Sequence, residues 1–254
     1  MLRVSGHFLN SPKFMLHKTE GVVLSTLKYS DRYAITHVFT REFGSTSYLI
    51  PLVNSKKTKI KNSLFFPFSV LKMEVEHLPL RDIQKLKEVE RLFPLYEVCT
   101  NMSKVSVAFF LSEFLHKVLR ESDNNEILYQ YIKNSIETLE ETERGFANFH
   151  IAFMIGLTRF LGIYPNWEGA RQGKYFDLMN GEFRDNIPLH THYLKPEESS
   201  YLKYLSRINY ANMYRFRFSR DDRNLIIDYL LDYYRLHLYN FPNLKSLDVL
   251  REMF

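Results

Sequence analysis

The chain has 254 residues, 45% of them hydrophobic and 25% charged, and a formal net charge of +5. This composition excludes an intrinsically disordered chain and leaves room for a substantial core in one or two domains. No apolar run reaches the ~20 residues of a membrane helix; the nearest, around Phe149 to Ile163, is broken by His150, Thr158 and Arg159.

Residues 1–14 carry one early arginine but no long apolar stretch, which argues against a secretory signal and predicts a flexible extension. From Lys18 to Glu76 the pattern is that of strands. Gly21 to Leu27 is apolar and β-branched, Tyr33 to Thr40 alternates, and Thr46 to Leu52 follows Gly44. The connectors Lys28 to Arg32 and Arg41 to Gly44 are short and rich in turn formers. In Leu64 to His77, Leu71, Met73 and Val75 fall on one side and Lys72, Glu74 and Glu76 on the other, while Pro67 requires an edge or a bulge.

Between the third and fourth strand patterns lie Lys56, Lys57, Lys59 and Lys61, with no acidic residue from Val53 to Ser63. A charge run of this kind is often only a solvated loop. Its setting among short strands points instead to a small closed barrel that lays a nucleic-acid backbone across one face. Residues 1 to 80 hold 11 Lys and Arg against 5 Asp and Glu, which leaves 23 against 24 for the rest of the chain. On this count the positive excess belongs to the barrel, as phosphate binding would require.

Beyond Leu80 the period changes. Ile83, Leu86 and Val89 recur every third residue, which reads as helix, and Pro94 closes the segment. Helices are predicted over Ser103 to Arg120, Asn125 to Thr142 and Phe146 to Leu161, with Asp123 as a cap and Gly145 as a break. About thirty residues of irregular sequence follow Gly162, with one hairpin candidate at Asn180-Gly181 and packing expected around Trp167, Tyr175 and Phe176. Helices return at Pro196-Glu197-Glu198 and at Arg223 to Tyr239 behind Ser219 to Asp222, and Asn240-Phe241-Pro242 ends the second of them.

Signatures of catalytic chemistry are scarce in the chain. There is no phosphate loop, dinucleotide fingerprint, zinc-protease pair or nucleophile elbow. The carboxylates at 197, 198, 221 and 222 are accounted for by helix starts, and His190 and His192 lack a third ligand for a metal. Cys99 is the only cysteine, which excludes a four-thiolate site and suits a reducing compartment.

The string HKTEGVVLSTLKYSDRYAITHVFTREFGSTSYLIP, the lysine loop and LFFPFSVLKMEVEH together resemble the N-terminal part of the bacterial RecO family of DNA repair proteins. FLGIYPNW, from Phe160 to Trp167, and the terminal LKSLDVLREMF are similar to later segments of that family. The resemblance covers about nine tenths of the chain, and its specificity lies in the order of these pieces.

What the resemblance implies is a two-domain α+β protein with an OB-fold barrel at residues 15–93. A mainly helical domain would follow at 94–254, with an irregular, zinc-less insert at about 163–195 where zinc-bearing relatives keep paired CxxC motifs. Residues 81–93 would then be a fifth strand, against their helical period, and Met15 sits where such proteins usually begin. The implied function is that of a cytoplasmic, nucleoid-associated recombination mediator. Such a protein binds single- and double-stranded DNA, anneals strands, contacts the acidic tail of single-stranded DNA-binding protein and, with RecR, helps to load RecA. It needs no cofactor, catalytic residue or membrane. The basic loop of the family matches Lys56, Lys57, Lys59 and Lys61, and Lys28, Arg32 and Arg41 are expected to extend its groove. The competing readings are a metal-dependent nuclease and an RNA-binding OB protein.

Overall fold

The alternation in the first ninety residues closes into a five-stranded barrel. In the computed structural model, which describes residues 16–52, 60–120, 122–170 and 174–254, the strands are β1 (Leu16–Lys28), β2 (Tyr33–Thr40), β3 (Gly44–Pro51), β4 (Val70–Glu76) and β5 (Ile83–Arg91). Their order is β1-β2-β3-β5-β4, with β4 returning to β1. Only the β3–β5 pair is parallel, and this connectivity is that of an OB barrel.

Alternate side chains fill the interior: Val23, Val38, Tyr48, Ile50, Leu71, Met73 and Val75 form one buried cluster, as a strand period of two requires. The segment at 81–93 is a strand despite its helical period. The pairs Glu74↔Glu88 and Val75↔Leu86 leave Lys87 without an opposite number, and this bulge reverses the inward parity of β5. Leu86 and Val89 therefore both pack on the barrel core although they stand three apart.

The helical part contains α1 (Tyr96–Thr100), α2 (Met102–Val118), α3 (Glu126–Glu141), α4 (Phe149–Phe160), α5 (Pro196–Ser199), α6 (Leu202–Leu205), α7 (Arg220–His237) and α8 (Leu247–Met253). Asn101 caps α2 and Asn125 caps α3, each accepting backbone N–H bonds with its side chain. Asp123 therefore does not fill the capping position assigned to it. Ser219 and Asp222 form a reciprocal capping box on α7. Between α4 and α5 lies a small sheet of β6 (Tyr175–Asp177), β7 (Glu182–Arg184) and β8 (Tyr193–Leu194), ordered β7-β6-β8. Its hairpin turns at Gly181, and Phe176 lies at its centre, stacked on Trp167 at 6.2 Å and edge-on to Phe183 at 4.9 Å.

Barrel and helices share one core. Val22, Leu24, Phe39, Phe68 and Val70 turn away from the barrel interior and join the cluster built by α2, α3, α4 and α7. Polar contacts fix the same seam: Glu20 accepts from Tyr129 Oη at 3.2 Å and faces Lys133 Nζ at 3.5 Å. Gly44, at φ +63°, passes so close to Ser122 that an added Cβ would lie 2.3 Å from its carbonyl oxygen, and only glycine meets both conditions. A protease cut near Pro94 is accordingly expected to leave two pieces that co-elute on gel filtration. Elution of a free barrel-sized fragment would contradict this shared core.

Candidate nucleic-acid interface

One end of the barrel gathers the β1–β2 turn, the segment leaving β3 and the C-terminus of β5. The turn is fixed by its own chain: Tyr29 N and Ser30 N donate to Tyr33 O at 3.0 and 2.9 Å. Lys28 meets Asp31 at 2.8 Å, and both side chains are exposed, so this pair is readily broken by a phosphate. Leu52 N donates to Arg32 O at 2.8 Å, and Asn62 Nδ2 donates to Leu52 O at 2.8 Å. Both roots of the lysine segment are thereby tied to the turn that carries Arg32.

Of the residues expected to bind, Lys28, Arg32 and Lys61 are exposed at this end; Lys56, Lys57 and Lys59 lie outside the described residues. Arg41 lies elsewhere, at the far end of β2, about 25 Å away for eight strand residues. There its Nε meets Glu126 Oε2 at 2.6 Å. Hydrogen bonds from Gln130 and then from Arg41 hold the Glu126 carboxyl below its ordinary range. Arg41 thus belongs to the seam with α3, at the opposite end of β2 from Lys28, Arg32 and Lys61.

Other residues join this end that the sequence did not single out. Arg91 Nη2 donates to Ser63 O at 2.6 Å, so the last residue of β5 braces the outgoing root of the loop. On the outer face of the barrel, His37 accepts or donates through Nδ1 to Ser47 Oγ at 2.9 Å and packs on His116 of α2 at 4.5 Å. Burial depresses both imidazoles, His116 to about 4, and the nearby charges of Lys117 and Arg120 push in the same direction. Lys117 and Arg120 follow His116 at the end of α2, the helix that packs on β2 through the His37–His116 contact. Tyr29 and Tyr33, 66% and 44% exposed, add rings on which bases could stack. Tertiary packing made this cluster, and no local motif announces it.

A second concavity, of about 760 Å³, opens between β1, α2 and α8. Its walls are apolar, including Leu27, Met102, Phe109, Val249 and Met253, and Lys117 and Lys245 stand at its rim. Glu113 accepts from Lys245 N, Ser246 N and Ser246 Oγ at 3.1, 2.8 and 2.6 Å, which seats the segment leading into α8.

The carboxylates weighed for catalysis make helix-start bonds: Glu198 accepts from Lys195 N at 2.8 Å, and Asp222 accepts from Ser219 N at 2.9 Å and Tyr201 Oη at 2.7 Å. In the insert, Asp177 caps the hairpin turn through Met179 N and Asn180 N, both at 3.0 Å. Aromatic packing and this turn hold the three strands of the insert. Purified, untagged protein is expected to carry no stoichiometric zinc, and a strong chelator is expected to leave its melting temperature unchanged; tightly held zinc in elemental analysis would overturn this.

Comparison with known proteins agrees with the architecture. A family model described as Recombination protein O N terminal matches residues 15–94, and one described as Recombination protein O C terminal matches residues 99–248. The DNA repair protein RecO of Phocaeicola vulgatus is 44% identical over 240 residues, covering 94% of this chain and 100% of that protein. That of Azobacteroides pseudotrichonymphae is 42% identical with the same coverage, and that of Bacteroides fragilis is 39% identical over 241 residues.

Proposed function

The chain belongs to the RecO family of DNA repair proteins, and from that premise we propose that it acts as a recombination mediator by binding DNA at the lysine-bearing end of its barrel. The observation that carries this reading is the pair of bonds tying Leu52 to Arg32 and to Asn62, which joins the root of the lysine loop to the exposed cations of the β1–β2 turn. Contacts of this kind neutralise phosphates without reading bases. They suit a protein that holds single- or double-stranded DNA and anneals strands, working by binding and without covalent chemistry in a cytoplasmic, nucleoid-associated setting.

The partners that follow are RecR, the acidic tail of single-stranded DNA-binding protein and, through them, RecA. Support for the tail comes from the groove between β1, α2 and α8, whose apolar walls and rim lysines complement an acidic peptide with an apolar end. Phe109 is 44% exposed there, so its replacement should leave the fold intact. Phe109→Glu is expected to weaken capture of the isolated tail peptide by more than about tenfold, through lost apolar contact and like-charge repulsion, and to spare binding of bare oligonucleotides. Equal affinity of variant and wild type for the peptide would move the tail site elsewhere.

Labelled oligonucleotides titrated across a salt series, with and without purified single-stranded DNA-binding protein, test activity and partner together. The expected result is a linear fall of log affinity with log salt, and retention on strands already coated by the binding protein. Magnesium-dependent cleavage of the oligonucleotide would instead establish the nuclease reading, and preference for RNA in competition would establish the RNA-binding one.

A further inference from the structure

Averaged over residues 81 to 254 the charge is near balance, yet residues 203–220 hold Lys203, Arg207, Arg215, Arg217 and Arg220 and no acidic residue. Aromatic residues are threaded between them, at 204, 210, 214, 216 and 218. The fold makes a surface of this stretch. Asn148, 3% exposed, donates through Nδ2 to Met213 O at 3.0 Å and Phe216 O at 2.7 Å, and Phe216 and Phe218 pack on the core. The arginines between and beside them are therefore turned outward, and Arg207, Arg215, Arg217 and Arg220 are all exposed. Tyr204 of α6 lies 6.5 Å from Phe216 and 6.4 Å from Phe218, which brings Lys203 to the same face.

Two exposed rings on this face are flanked by cations. Lys203 Nζ is 4.9 Å from the Tyr204 ring, and the Arg215 guanidinium is 5.5 Å from the Tyr214 ring, with Nε donating to Tyr214 Oη at 3.0 Å. Tyr204 and Tyr214 keep 44% and 57% of their surface in solvent. Among the described residues, no ion pair engages any of the five cations of the stretch, whereas most barrel cations are paired. Two acids, Asp221 and Asp222, follow the stretch in the first turn of α7; Asp222 is occupied by Ser219 and Tyr201, and among the described residues no ion pair joins Asp221 to a cation of the stretch.

We propose that this face is a second binding surface for single-stranded nucleic acid, with phosphates on Arg215, Arg217 and Arg220 and bases stacked on Tyr214 and Tyr204. Unpaired cations alternating with accessible rings are what such a strand requires, and they need no base sequence. The surface is separate from the barrel: Tyr129 and Lys133 of α3 reach Glu20 of β1, while Tyr131 and Ser135 on the opposite side of α3 meet Tyr210. One molecule can thereby hold a strand on each side of α3, which extends the annealing role proposed above.

The test compares three full-length variants with wild type in oligonucleotide titrations over a salt series. Arg215→Gln/Arg217→Gln/Arg220→Gln is expected to flatten the slope of log affinity against log salt by about two units, at roughly 0.7 per phosphate on a single strand. Tyr214→Leu is expected to lose at least about fivefold in affinity with its slope unchanged, because stacking is nonionic. A variant with Lys56, Lys57, Lys59 and Lys61 all replaced by Gln reports the barrel separately, so failure of one surface leaves the other legible. If the triple arginine variant is poorly folded by circular dichroism, Lys203→Gln/Arg207→Gln serves in its place. Unchanged slope and affinity in the arginine variant would overturn the proposal. So would displacement of the oligonucleotide by oligoglutamate of equal charge at lower concentration than by a second oligonucleotide, because the face would then fit an acidic protein.

Discussion

Lowering the pH from 7 to 5 is expected to cost the fold about 2 kcal/mol through His150 alone. His150 is fully buried in α4, edge-on to Phe110 at 6.3 Å and near Phe254 at 5.6 Å, and neither ring nitrogen has a hydrogen-bond partner among the described residues. Burial, aided by the charge of Arg223, pushes its pKa down to about 3. A histidine depressed in the folded state contributes stability that is full above its unfolded pKa near 6.5 and is lost as pH falls from there towards 3. His116, at about 4, acts in the same direction. The depressed carboxylates, such as Asp222 and Glu126, lose their contribution only at lower pH, so the interval from 7 to 5 isolates the imidazoles. For a chain of this size, about 2 kcal/mol corresponds to roughly 4–8 °C in melting temperature. His150→Leu keeps the volume and removes the titration, and its melting temperature is expected to fall by that much less between the two pH values. An equal fall in variant and wild type would show that His150 does not remain neutral in a dry site.

Much of the fold was legible because local pattern and burial agree. Leu71, Met73 and Val75 alternate in the sequence and line the barrel, and Ser219 to Asp222 carries its capping box in plain letters. The strand at 83–91 was hidden by one residue: the bulge at Lys87 sets Leu86 and Val89 three apart, and a strand with a bulge can imitate a helical period. The candidate barrel site rests on a cluster of lysines, and sequence proximity could not tell which loops share an end with it. Arg41 and Arg32 flank the same strand and stand at opposite ends of it. Averaging had a similar cost in the second half of the chain, where a balance near zero concealed the five cations of residues 203–220. The groove at α8 was out of reach altogether, because its walls come from residues as far apart as Leu27 and Met253.

The larger functional effect is expected at the lysine loop. Replacing a run of lysines that has no acidic neighbour in sequence is expected to cost the fold little. Of them, Lys61 is exposed at the barrel end that carries Lys28 and Arg32, where Asp31 pairs with Lys28 and Glu90 with Lys72, each in the open. Phosphate contacts contribute about 0.7 to 0.9 each to the slope of log affinity against log salt, so two to four lost contacts amount to roughly two to three units. The effect should be nearly the same for every base sequence, since phosphate contacts carry no base information.

The most direct measurement is therefore the salt dependence of single-stranded DNA binding by the variant in which Lys56, Lys57, Lys59 and Lys61 are all replaced by Gln. The account predicts a folded protein with a wild-type melting temperature, affinity reduced by about tenfold or more, and a slope flattened by roughly two to three units across unrelated sequences. A folded variant with unchanged affinity and unchanged slope would contradict it, and the lysine run would be a solvated loop.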